Sequence, residues 1–590
     1  MSVRPPPRSR PAPPSDQVDG PLAGGPGAAV EPAWRAWRTV VLLALLVIAT
    51  AFAVGRWLQL GVPVPVPEPG ASRIDCVSYA PFRRPGDSPF DPLAFIDESR
   101  IESDLRALSG RTGCVRTYSV TQGLDAVPRV ARRLGMTVLL GAWIGRDRAD
   151  NERELARAMA LARDEYDVVR ALIVGNEVML RRELPEAELA ALIRRARAEV
   201  PVPVTYADVW EFWLKHPSLA PAVSFVTIHV LPYWEDEPVG IDAAVAHVID
   251  VYRLMRREFP GRDILLGETG WPSEGRARRD AVPGRVEQAR FVRGFVAAAA
   301  GEGLRYNLIE GFDQPWKRRL EGAMGGYWGV LDSDARPKFD WTGPVAPRED
   351  VRPGLRAALA GAIAGLLAMA LLGWRQGRQR RTGAAPVLLH AAIGLPAGAG
   401  LGATLAEQWR YMTIWNRDPL EWGATAAMTI VVLGTCLVGA VWFARQHAIR
   451  PPPIPGMAAV VRDWRRHDRA PGLDGWLGLL SGLVLLGVAV TALLHAFDAR
   501  YRGFPWPLFA PAAVTAGLLW CAGLRRDAEA LEERWLATLV LACALLMVFR
   551  EGPLNLQALG YAALLAVLAG TAAARTTTIS PSSAPTAAGS

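Results

Sequence analysis

This sequence predicts an α/β fold in which a closed (β/α)8 TIM barrel stands outside a membrane, joined to an α-helical multi-span membrane domain. Three observations carry that expectation. Between residues 74 and 314, eight short β-type runs alternate with amphipathic helical patterns, the rhythm of a parallel barrel. The last third of the chain is a series of apolar runs separated by basic or polar loops, as in a polytopic membrane unit. Hydrophobic residues make up 51% of the 590 and mean hydropathy is +0.13, high for a soluble chain and low for one wholly within lipid. That length also exceeds one ordinary domain.

Residues 1–38, rich in Pro, Gly and Ala with scattered Arg, read as a disordered Pro-rich cytoplasmic tail. The run "TVVLLALLVIATAFAV" (39–54) is bracketed by Arg35, Arg38 and Arg56. Extended through "GRWLQLGV" it reaches the ~20 residues that cross a bilayer, so 39–60 is expected to be a transmembrane anchor. A cleaved signal peptide is the rival reading; the long preceding tail and the lack of a small-x-small cleavage site favour an anchor. Within 61–73, "VPVPVPEPG" predicts a stiff extended stalk.

The barrel is expected over 74–345. Its eight runs are "IDCVSYAP" (74–81), "GCVRTYS" (113–119), "MTVLLGAWI" (136–144), "VRALIVGNEV" (169–178), "VPVTYADV" (202–209), "VSFVTIHV" (223–230), "DILLGETGW" (263–271) and "YNLIEGFDQ" (306–314). Segments such as "ERELARAMALARDE" (152–165) and "AELAALIRRARAEV" (187–200) supply the helices between them. An open doubly wound sheet would call for a Gly-rich phosphate loop after the first strand, and the sequence has none there.

Seven further spans are expected within 354–574, near 355–374, 384–405, 423–444, 474–495, 507–524, 535–549 and 557–574, followed by a disordered tail at 575–590. Arg375, Arg378, Arg380 and Arg381, then "RQHAIR" with "RDWRRHDR", then "LRRDAEALEER" mark three loops as cytoplasmic. Both termini then lie inside, and the barrel lies on the periplasmic or extracytoplasmic side of the inner membrane. The net charge of +8 is spent largely at such span edges, not gathered into a patch for nucleic acid. Trp409, Tyr411, Trp415 and Trp422, in an external loop, suit an interfacial aromatic belt or a surface that guides a polymer.

The chemistry begins at "ALIVGNEVML" (171–180), where an apolar run meets Asn176 and Glu177. A buried carboxylate must be paired or neutralised, so its place at the end of the fourth strand needs a reason. Glu268, in "LLGETGW", ends the seventh. Barrel enzymes take catalytic groups from these strand ends, and two carboxylates facing one cavity are the minimum for cleaving a glycosidic bond. Taken singly, each Glu could simply be tied to an Arg. No HExxH pair, metal-ligand spacing or GxSxG elbow is present, so neither a metal nor another cofactor is expected. Cys76 and Cys114 begin neighbouring strands; an oxidising compartment would let them pair, although strand geometry often forbids it.

The ordered set "CVRTYS" (114–119), "GETGWPS" (267–273), "EGFDQPWK" (310–317) and "YWGVLD" (327–332), with Asn-Glu ending strand four, resembles glycoside hydrolase family 17, within clan A of the retaining glycosidases. The resemblance covers roughly 74–342, and the spans resemble the membrane-bound bacterial branch of that family. It implies action on β-1,3-glucan, with Glu177 as acid/base and Glu268 as nucleophile. It also implies Asn176 on the sugar 2-OH and Tyr233 bonded to the nucleophile. Tyr79, Trp271 and Trp316 become sugar-facing aromatics, with Tyr118, Trp143, Trp210, Trp234 and Trp328 as further candidates. Arg116, Asp208, Gln314 and Lys317 become polar contacts at the mouth. Gln314 departs from the carboxylate that plant members carry in this segment. His229 suits either a site residue or a satisfied strand histidine.

The cytoplasmic loops are too short to hold a nucleotide-sugar synthase, so any new bond must draw on an existing glycosidic bond. Transglycosylation through a glycosyl-enzyme intermediate is the expected activity, and endo-hydrolysis is the alternative. A non-catalytic glucan-binding scaffold or carrier is the rival from another class. A glucan synthase or an export component is the partner such a unit would serve.

Overall fold

The computed structural model describes residues 30–380, 385–445, 451–467, 470–499 and 501–574. Most of the expected amino-terminal tail and all of the carboxy-terminal one lie outside them.

Helix α1 spans Val30–Leu60, so the helix begins before the expected anchor start at 39. The segment after it is no free stalk: Val64 pairs antiparallel with Val345, and Glu68 accepts from the Gly343 amide. Eight parallel strands follow: β1 Cys76–Ser78, β2 Cys114–Arg116, β3 Thr137–Ala142, β4 Val169–Asn176, β5 Val204–Val209, β6 Val226–His229, β7 Ile264–Thr269 and β8 Arg305–Leu308. They pair in chain order and close, with Cys76 opposite Asn307 on β8. The helices between them are α2 Glu98–Ser109, α3 Val127–Arg133, α4 Arg148–Asp164, α5 Glu186–Glu199, α6 Trp210–Lys215, α7 Ile241–Glu258 and α8 Arg285–Glu302; α9 is the turn Arg318–Glu321. Local chemistry sets their starts: Asp97 caps α2 through the Arg100 amide, and Asp147 caps α4 through those of Ala149 and Asp150.

Alternation along the strands builds two cores. Val77, Val115, Val138, Leu140, Leu172 and Val204 face the helices and are fully buried. The intervening Cys76, Cys114, Leu139, Ala171, Ile173, Ala207 and Leu265 form a separate cluster within the ring. Each fully buried aliphatic side chain contributes about 1.5–3 kcal/mol. Cys76 and Cys114 do form a disulfide, their Cα atoms 4.4 Å apart on adjacent inward positions.

Beyond the barrel run α10 Arg352–Arg380, α11 Ala385–Trp415, α12 Pro419–Arg445, α13 Met457–His467, α14 Leu473–Phe497, α15 Trp506–Cys521, α16 Leu531–Glu551 and α17 Leu556–Ala573. With α1, every expected span coincides with a helix. Among the described residues six helices are long and apolar enough to cross a membrane; α15 is shorter, and α16, with Glu532, Glu533 and Arg534 in its first turn, falls outside that set. The short amphipathic α13 lies where the sequence indicates only a basic loop. α10 and α11 approach so closely that a Cβ at Gly361, Gly365 or Gly402 would strike the backbone of the facing helix, the small-residue contact favoured between membrane helices.

The barrel's β7–α8 and β8 loops rest on the ends of these helices. Arg276 is bound to Glu551 and to the Ala499 carbonyl. Asn555 donates to the Ala277 carbonyl at 3.0 Å, and Gln557 accepts from the Ala277 amide at 3.1 Å. Glu274 pairs with Arg410, and Arg318 donates to the Ile414 and Asn416 carbonyls.

Candidate active site

Strand irregularities assemble the site. The β4–β5 register slips between Ile173 and Asn176, and that of β6–β7 between Ile228 and His229; such slips re-aim side chains at strand ends. Gly175 takes φ +86° and Glu177 itself φ +55°. A left-handed glutamate is uncommon and strained, and such residues collect where function over-determines the backbone. The Glu177 amide donates to the Ala207 carbonyl at 2.7 Å, which holds the turn.

Arg116, ending β2 and 1% exposed, is the hub. Its guanidinium donates to the Gly267 carbonyl (2.7 Å), Glu268 (3.2 Å) and Asn176 Oδ1 (2.5 Å). The Tyr118 hydroxyl donates to Glu268 Oε1 at 2.8 Å and is itself 2.8 Å from Ser78 Oγ. His229 bridges the two glutamates: Nδ1 lies 2.8 Å from Glu177 Oε1, and Nε2 lies 3.3 Å from Arg116 and 3.6 Å from Glu268.

Burial raises the Glu177 carboxyl, but the His229 hydrogen bond and charge, with Arg181 and Arg116, outweigh it and hold the group below its ordinary value. A general acid works best with a raised carboxyl, and Glu177 shifts in the opposite direction. Glu177, His229 and Glu268 have donor atoms within 4.8 Å of one another, close enough to share an ion. The spacing of His229 from Glu177 is that of a hydrogen bond.

Several expected contacts are placed elsewhere. Tyr233 does not reach Glu268: its hydroxyl donates to the Arg276 carbonyl at 2.6 Å, and Tyr118 bonds Glu268 instead. Tyr79 is buried against Phe312 with its hydroxyl on Asp104. Trp271 is fully buried and donates to the Val282 carbonyl. Asp208 is buried under the loop after Glu177, accepting from Tyr206 and from the Met179 and Leu180 amides; burial pushes its carboxyl up to about 6. Gln314 ties the Ala80 carbonyl to the Trp316 indole, so it supports Trp316, which is half-buried at the rim beside Phe90. Lys317 pairs with Glu310 at 2.9 Å. Glu310 was not singled out, although it stands in the quoted "EGFDQPWK"; burial pushes it up to about 7 against the pull of Lys317. His229, which the sequence leaves as either a site residue or a satisfied strand histidine, stands at the end of β6 opposite Glu268 and joins the site.

A closed parallel barrel with two glutamates at the ends of β4 and β7, bridged by one histidine, has the form of a glycosidase. Comparison with known proteins agrees: residues 76–329 match the family model of the BtgE/BtgC glycoside hydrolase domain, and the resemblance to glycoside hydrolase family 17 holds for the barrel. The "Probable beta-glucosidase btgE" of Aspergillus fumigatus is 26% identical over 265 residues, 44% of this chain and 45% of its own. The chain thus spans less than half the length of that relative. The "Glucan 1,3-beta-glucosidase" of Arthroderma benhamiae is 25% identical over 273 residues, 43% of this chain and 88% of its own. Among solved structures, the glycoside hydrolase family 17 β-1,3-glucanosyltransferase of Rhizomucor miehei is 23% identical, with a TM-score of 0.40, covering 45% of this chain and 97% of its own.

Proposed function

We propose that the protein is a membrane-anchored retaining enzyme that cleaves β-1,3-glucan and transfers the cleaved chain outside the cytoplasmic membrane. The observation that carries the reading is that one carboxylate oxygen of Glu177 and one of Glu268 lie within 4.8 Å of each other, too close to hold an attacking water between the two carboxyl groups. Retaining pairs sit about 5–5.5 Å apart, while inverting pairs leave room for a water at about 6.5–9.5 Å. Glu268, held by Arg116 and Tyr118, attacks the anomeric carbon. Glu177 gives its proton to the departing oxygen, and a glycosyl ester on Glu268 results. Glu177 then takes the proton of an incoming hydroxyl, whose oxygen attacks the same carbon and frees Glu268. Water in that role gives hydrolysis, the alternative activity; a sugar hydroxyl gives transfer. A general acid must carry a proton when sugar is bound, and glucan covering Glu177 removes water and favours the neutral form. Asn176, held through Oδ1, keeps its amide hydrogens for the sugar 2-OH.

The six apolar helices and the basic loops opposite the barrel support an inner-membrane location with the barrel outside. A glucan synthase or export component is the partner this reading implies. The test uses the full chain in lipid nanodiscs with defined β-1,3-gluco-oligosaccharides and mass spectrometry, Glu268→Gln being the control. Products longer than the substrate support transfer, and shorter products alone make it a hydrolase. No turnover by the wild type, or cellular function retained by Glu268→Gln, would bring forward the scaffold or carrier.

A further inference from the structure

The helical domain reaches the rim of the active-site mouth. The loop between α14 and α15 lies against the β8 loop so closely that a Cβ on Gly322 would sit 2.9 Å from the Cβ and carbonyl oxygen of Tyr501. The residue before Gly322 is Glu321, close enough to the catalytic pair that the charges of both Glu177 and Glu268 act on its carboxyl, which burial raises. On the other side, the Tyr501 ring meets Trp234 of the β6–α7 loop, centroids 6.4 Å apart and planes tilted by 36°. The Arg278 guanidinium lies over that indole at 5.6 Å.

The loop is braced for such a position. Its Gly503 carbonyl accepts from Tyr411 at 3.0 Å and lies 2.8 Å from His495 Nε2. A side chain at Gly503 would run into the Trp415 ring. Arg276, 3% exposed, lies over Phe504 while gripping Glu551 and Ala499. Tyr501 stands outside the 76–329 segment that the family model matches, so the match does not account for it.

We propose that this seam is a sugar-binding subsite, and that the helical domain completes the glucan cleft with Tyr501. This rests on the glucan reading above. A pyranose ring offers one apolar face and an edge of hydroxyls. Two rings set side by side fit the face, and a carboxyl and a guanidinium fit the hydroxyls. Trp234 and Tyr501 supply the rings, and Arg278, which also donates to the Tyr233 carbonyl at 2.7 Å, the polar partner, with Glu321 in the adjoining β8 loop. The occupant is a distal glucose unit of the chain whose cleaved bond lies over Glu177 and Glu268. The helices then hold the polymer as well as anchor the enzyme.

The test compares KM and kcat of the full chain in nanodiscs on a β-1,3-linked trisaccharide and octasaccharide. For Tyr501→Ala, the KM for the octasaccharide should rise about three- to tenfold relative to that for the trisaccharide, with kcat ratios little moved. Tyr501→Trp should restore the wild-type ratio. Trp234→Ala should shift the ratio in the same direction, and the double variant should fall short of the product of the two effects. If Tyr501→Ala fails to fold, Trp234→Ala alone decides. A wild type active on both sugars with length-blind variants overturns the subsite and leaves the catalytic reading standing. A wild type inactive on both overturns the glucan reading and the subsite with it.

Discussion

Replacing Arg116 with Met should destabilise the barrel far more than its size suggests. The Arg116 and Glu268 side chains are 1% and 6% exposed, so the guanidinium is the chief compensation for a carboxylate removed from water. Its loss also strips donors from the Gly267 carbonyl and from Asn176. Removing one partner of a buried pair costs about 3–5 kcal/mol, because the other charge stays behind unpaired. For a domain of this size that is a fall of roughly 6–20 °C in melting temperature. Glu268→Gln alone should cost less, since Arg116 keeps its other acceptors. The informative species is the double variant: with no carboxylate left to strand, its cost should fall short of the sum by about 1–3 kcal/mol. Amide exchange in β2, β3 and β4 of the full chain, followed through denaturation, measures all three. Strict additivity, or an Arg116→Met variant within about 0.5 kcal/mol of wild type, would refute the hub.

The folded-state values of Asp208 and Glu310, about 6 and about 7, lie above their ordinary ones. The native barrel therefore holds protons the unfolded chain has released, and the stability these groups contribute falls as pH climbs from about 4 to about 7. Melting curves across that window should show the decline, and Asp208→Asn should flatten its lower half; an unchanged slope would count against the burial argument. Reduction of Cys76–Cys114, whose sequence separation is 38, should remove at most about 4 kcal/mol from the barrel by loop entropy, read as a lower melting temperature in reductant. Arg276→Met should speed amide exchange in 274–277 and in the loop between α14 and α15 while the barrel strands stay protected. Uniform acceleration would mean that the pair with Glu551 holds up the whole fold.

Much of this was legible in the amino-acid sequence because periodicity records burial. Seven of the eight runs contain their strands, and the eighth, "YNLIEGFDQ" (306–314), starts one residue inside β8, Arg305–Leu308. Several overshoot at the carboxyl end: "YNLIEGFDQ" gives a strand that stops at Leu308. There the chain leaves the ladder to form site loops while staying apolar, so hydrophobicity continues after pairing ends. Glu177 and Glu268 were legible because a lone carboxylate after a buried run is costly. Tyr118 and Tyr233 were not separable, since both follow strands and only side-chain direction decides which reaches Glu268. Likewise Asp208 and Gln314 look like mouth residues in a motif, yet their partners are backbone groups brought near by folding. The contact of Arg276 with Glu551 joins residues far apart in sequence, and no local pattern announces it.

The antiparallel pairing of Val64 with Val345 brings the two junctions of the barrel to one point. The catalytic unit is thus spliced into its host as a guest domain, between two helices whose ends would meet without it. The ring also closes only when β8 arrives beside β1. On the proposed topology, nearly the whole guest must therefore be exported before any of it is finished, and export and folding are ordered in time by the connectivity of a single sheet.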